Sequence, residues 1–144
     1  MQVARPTVMI SPVERILAVL ASIVCLVITL IFWSSISTYQ SMWPLPGLYF
    51  IEMVVLSAIS SYTFLRGDPR GSFTTWGAAG IISAFSIVGA FSVGFFYVPV
   101  ALMFGVISIL WDVRNKQHLL IHLSVFLLAG IMQSVMMFVV ILRR

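Results

Sequence analysis

Two places in this chain carry side chains able to do chemistry. The first is Glu52, a carboxyl set inside an apolar run. Without a partner in such surroundings a carboxylate costs several kcal/mol, so Glu52 must be protonated, paired or reaching a polar boundary. In that setting it can act as a proton- or cation-responsive group, or simply accept hydrogen bonds from hydroxyls such as Ser34, Ser35, Ser37 or Tyr39. The second place is His118 and His122, four residues apart and therefore on one face of a helix, where two imidazoles can share a metal ion or, weakly, a haem. Two ligands do not close a metal site, and Asp112 is the only carboxylate near them in sequence. Polar groups marking where a helix leaves an apolar layer explain the pair as well.

Nothing else assembles into a reaction centre. There is no nucleophile–base pair, no phosphate-cradling loop and no third metal ligand beside the histidines, so the expectation is a chain that is no enzyme and needs no cofactor. Cys25 is the only cysteine, which excludes an internal disulfide and CxxC chemistry. Met132, Met136 and Met137 read as soft packing, with Gln133 among them placed to hydrogen-bond to another helix.

The elements that must hold these residues are set by the solvent. From residue 71 to residue 111 no side chain is charged; over the whole chain 61% of residues are hydrophobic, 8% are charged and the mean hydropathy is +1.13. Soluble domains carry roughly 25% charged residues. A chain of 144 residues has no interior large enough to hide such a run, so lipid surrounds it. The net charge of +4 comes from short basic clusters at segment ends, the pattern of membrane topology rather than of nucleic-acid binding.

The expected fold is an all-α, polytopic transmembrane bundle forming one domain, with spans near 13–34, 47–65, 74–92, 97–111 and 118–142. Ser11-Pro12-Val13-Glu14 places Ser at the N-cap, Pro at N1 and Glu at N3, a capping box opening the first helix. A secretory leader is an alternative reading of this start, with Ser35-Ile36-Ser37 as its cleavage site. However, the run 16–33 exceeds the roughly 7–15 residues of a leader's apolar core, so an uncleaved helix is expected. Tyr39 and Trp43 are placed at the headgroup level, and Pro44 and Pro46 keep the chain non-helical up to the second span. Gly67 suits a left-handed cap before the Asp68-Pro69 turn.

Residues 74–111 decide the span count. As one helix they would reach about 57 Å, nearly twice the roughly 30 Å hydrocarbon layer. Two spans fit if the chain doubles back around Gly94, which can take a left-handed conformation, with Pro99 opening the next helix. A single long helix would instead give four spans. Trp33, Trp43, Trp76 and Trp111 then all fall at span ends.

The distribution of Lys and Arg favours a cytoplasmic N-terminus without distinguishing four spans from five. Small residues four apart recur at Ser57/Ser61, Gly80/Ala84, Ser86/Ala90/Gly94, Ala101/Gly105 and Gly130/Ser134, a spacing that lets helix backbones approach closely. The reading these features support is a non-catalytic structural or accessory subunit in the bilayer, packing against a membrane partner or against itself, with no nucleic acid involved. The alternative is a small transporter or channel using Glu52.

Overall fold

The computed structural model describes residues 10–37, 47–68, 70–90, 92–116 and 118–142. They form five helices: α1 (Pro12–Ser37), α2 (Gly47–Leu65), α3 (Gly71–Val88), α4 (Val98–Asn115) and α5 (Leu119–Leu142), with one 3-10 turn at Gly94–Tyr97 ahead of α4. All five are long and apolar enough to cross a membrane. The chain is an all-α, multi-pass membrane bundle.

Local chemistry explains the boundaries. At the start of α1 the Ser11 N–H donates to Glu14 Oε2 (3.1 Å) and the Glu14 N–H donates to Ser11 Oγ (3.3 Å), the reciprocal pair of a capping box. Gly67 takes φ 67°, the left-handed value expected after a helix, and its N–H returns to the Phe64 carbonyl. Tyr39, Trp43, Pro44 and Pro46 lie outside the described residues.

The 74–111 run does fold back, but its limits differ from the sequence expectation. α3 starts at Gly71, directly after the turn in which the Gly71 N–H donates to the Asp68 carbonyl. At its other end α4 continues one turn past Trp111. Arg114 sits in that turn, favourable at a helix C-terminus. The Asn115 amide donates to the Trp111 carbonyl (3.0 Å), and Lys116 caps the helix at φ 48°. This extra turn carries Asp112 into α4.

Gly94 also behaves differently from expectation. It is not left-handed; among the described glycines only Gly67 has positive φ. It is required because the chain turns so tightly that a Cβ there would lie 2.6 Å from the Phe85 carbonyl oxygen and from the Gly89 carbonyl carbon. Both neighbours are backbone, so no rotamer change relieves the overlap. Gly94→Ala is therefore expected to loosen the α3–α4 hairpin at a cost of about 1–3 kcal/mol, measured as a drop in unfolding midpoint in detergent.

Successive helices reverse direction, which brings the starts of α1, α3 and α5 and the ends of α2 and α4 to one face of the bundle. α3 is the central helix, packed against α2, α4 and α5, while α1 lies against α2 and α4. The core between them contains Phe50, Met53, Phe64, Ile82, Phe85, Tyr97, Val100, Phe104, Ile107 and Trp111. Hydroxyls tie the seams. Ser22 meets Ser61 (2.7 Å), which in turn donates to the Ala18 carbonyl (2.7 Å), joining α1 to α2. Thr63 meets Thr74 (2.7 Å) across α2 and α3, and Thr29 meets the Tyr97 hydroxyl (2.8 Å).

α5 is the exception to this enclosure. Its buried residues are His122, Gln133 and Met137. It lies along α3, where the two backbones come so close that a Cβ on Gly80 would overlap the Phe126 carbonyl, and one on Gly130 would sit 3.3 Å from the Gly80 carbonyl oxygen.

Candidate functional site

At the face shared by the start of α3, the end of α4 and the start of α5, four polar side chains converge. Each helix supplies what its register allows. Ser72 and Trp76 are one turn apart on α3, Asp112 is in the added last turn of α4, and His122 is in the first turn of α5. Ser72, Trp76, Asp112 and His122 are all buried. Asp112 is the hub. Its Oδ1 accepts from Ser72 Oγ–H (2.8 Å), and its Oδ2 accepts from Trp76 Nε1–H (2.8 Å) and from His122 Nδ1–H (2.8 Å). A buried carboxylate is tolerable only when charge and lone pairs are met in this way.

The bond to the carboxylate assigns the proton to Nδ1 of His122. Ser72 Oγ also lies 3.3 Å from that same Nδ1. A nucleophilic triad needs the hydroxyl on the other ring nitrogen, opposite the carboxylate. Here serine and aspartate share one nitrogen, so Ser72 is not placed to pass its proton to the imidazole, and the group works as a clamp on three helices. Every enclosed side-chain nitrogen or oxygen among the described residues has a partner. Phe73 meets the imidazole edge-on, with centroids 4.6 Å apart.

The histidine pair divides. His122, in the first turn of α5, is buried in the clamp, and His118, just before the helix, is exposed, so α5 turns one into the bundle and leaves the other outside. Among the described residues no three His, Cys, Asp or Glu side chains converge to hold a metal ion. Trp76 and Trp111 stand near helix ends, as the sequence places them, but turned toward the bundle. Both are buried, Trp76 donating to Asp112 and Trp111 packed against Phe64 (5.0 Å between centroids).

Glu52 lies toward the opposite face. Gln133, buried on α5, donates Nε2–H to Glu52 Oε2 at 3.3 Å, which is the cross-helix bond expected of Gln133. The hydroxyls considered as partners for Glu52 are engaged elsewhere or not described: Ser34 and Ser35 donate to the Ile31 carbonyl, while Tyr39 and the Ser37 side chain lie outside the described residues. From His122 to Gln133 is about 16 Å along α5, so Glu52 and the histidines do not meet. Beside the clamp, Glu14 is buried and accepts from Arg114, pinning the start of α1 to the end of α4.

The small residues fall into different settings. Gly80, Ala84, Gly130 and Ser134 line the α3–α5 seam and a groove of about 390 Å³ that runs along it with Ser83, Ile87 and Phe138. Ser86 is buried and bonds back to the Ile82 carbonyl, and Ala101 is buried. Ala90 is exposed in the turn after α3, and a Cβ on Gly105 would meet nothing within 4 Å; neither packs a helix of this chain against another.

Ser72, Trp76, Asp112 and the Glu14–Arg114 pair were not candidates from sequence. The available signal was Asp112 ten residues before His122 across a short turn, which an antiparallel helix pair brings together. No family model, curated protein or solved structure matches this chain. What the helices define is a small multi-pass membrane protein with its polar groups gathered at helix seams.

Proposed function

We propose that this chain is a non-catalytic structural or accessory subunit of a membrane assembly, made with another membrane protein or with further copies of itself. The observation that supports this reading is α5. It is held to the bundle along one seam, by the clamp at one end, Gln133 at the other and the Gly80–Gly130 approach between them, while most of its apolar surface faces outward. Asp112, His122, Gln133, Ser61 and Tyr97 are each engaged in bonds that join one helix to another. Purification in mild detergent after in-membrane crosslinking tests the proposal: a discrete adduct through α5 is expected, and a chain that is monomeric at every crosslinker length would refute it.

A small transporter using Glu52 is the second reading. It is favoured by a carboxyl that is only half-buried and has a single long hydrogen bond. Glu52→Gln separates the two. On the subunit reading, proton and monovalent-cation flux into proteoliposomes is unchanged by this substitution and assembly survives. A loss of flux of tenfold or more with assembly intact would favour the transporter.

A further inference from the structure

We infer that the start of α1 carries a binding site for an anionic glycerophospholipid, with its phosphate on Arg15 and an acyl chain along the helix below. Arg15 is exposed and stands at one end of a shallow, open apolar face of α1, which Ile16, Val19, Leu20 and Ile23 also line. From Arg15 to Ile23 the helix rises about 12 Å, most of one leaflet of a roughly 30 Å hydrocarbon layer. A cation at the headgroup level above an apolar helix face matches the two chemical halves of a phospholipid.

Among the described residues Arg15 forms no ion pair. The sequence contains four acidic side chains, Glu14, Glu52, Asp68 and Asp112. Glu14 turns inward to Ser11 and Arg114. Asp112 is consumed by the clamp. Asp68 accepts from the Arg70 backbone N–H (2.9 Å), and Glu52 lies toward the other face. Arg66, Arg70 and Lys116 are exposed at the same end of the bundle, so the local field there is positive and favours an anion.

The test is native mass spectrometry of the full chain in a neutral detergent, titrated with phosphatidylglycerol or phosphatidylcholine bearing identical acyl chains. The wild type is expected to retain phosphatidylglycerol preferentially. Arg15→Gln is expected to reduce that preference about fivefold, the factor one basic side chain supplies near an anionic surface, and Arg15→Lys to preserve it. Inorganic phosphate in tenfold excess over the lipid is expected to leave the adduct in place. Equal retention of the two lipids, an unchanged preference in Arg15→Gln, or displacement by phosphate alone would each overturn the site.

Discussion

Asp112→Ala is expected to lower the stability of the bundle by about 3 kcal/mol, more than any other single polar truncation. An interhelical hydrogen bond in a membrane protein averages only about 0.6 kcal/mol, so the size of the effect rests on convergence. Removing the carboxylate leaves Ser72 Oγ–H, Trp76 Nε1–H and His122 Nδ1–H without their acceptor, and a buried donor left unsatisfied costs roughly 1–3 kcal/mol. Ser72→Ala removes one donor and leaves the carboxylate two, so a loss near 1 kcal/mol is expected. Because Asp112 and His122 act together, the loss in the double variant Asp112→Ala/His122→Ala should fall short of the sum of the singles by 0.5 kcal/mol or more. Equilibrium unfolding in mixed detergent measures the wild type, Ser72→Ala, the two single variants Asp112→Ala and His122→Ala, and the double variant. Strict additivity would mean that the two side chains do not support one another.

The second large effect concerns glycine. Gly80→Ala is expected to push α5 away from α3, because the new methyl group meets the Phe126 carbonyl and backbone cannot rotate aside. Overpacking of this kind costs about 1–3 kcal/mol, with the upper end expected here. Gly105→Ala is the matched control. Its Cβ enters open space, and alanine is the better helix former by about 1 kcal/mol, so this variant should be neutral or slightly more stable. The contrast is read from unfolding midpoints and from Trp76 fluorescence, since that indole packs against Phe126 on α5 (6.1 Å between centroids). Equal shifts in the two variants would remove the close α3–α5 seam from the account.

These two glycines also show how far the sequence can be read. Both stand four residues from a small neighbour, yet one touches another helix and the other faces outward. Spacing says that close approach is possible; only the arrangement of helices says where it occurs. The helices themselves were legible because apolar length and the end signals are local: the Ser11–Glu14 box, Gly67 and the doubling back before Pro99. The clamp was not. Ser72, Asp112 and His122 are separated by 40 and 10 residues along the chain and meet only once α3, α4 and α5 are aligned. Asp112 was hidden for a further reason. Charges flanking apolar runs are normally topology markers, and α4 ends one turn later than hydropathy suggests, because Arg114, Asn115 and Lys116 complete its C-terminus. Trp76 and Trp111 were legible as markers of span ends, but not the buried acceptor and the ring partner that turn them toward the bundle. Glu52 and Gln133 were each visible as polar groups in apolar runs, but their pairing depends on the Gln133 side chain reaching from α5 to α2, two helices that do not pack on each other.

The clamp, the α3–α5 seam and the role given to α5 all require residues 71–115 to cross the membrane twice. Single cysteines at Asp68, Phe95 and Asn115, introduced singly after replacing the buried Cys25 with serine, test this by labelling with a membrane-impermeant maleimide from each side. Positions 68 and 115 are expected to react from the same side and position 95 from the opposite one. Labelling of 68 and 115 from opposite sides would contradict the double crossing, since Asp112 and His122 would then lie across the bilayer from Ser72.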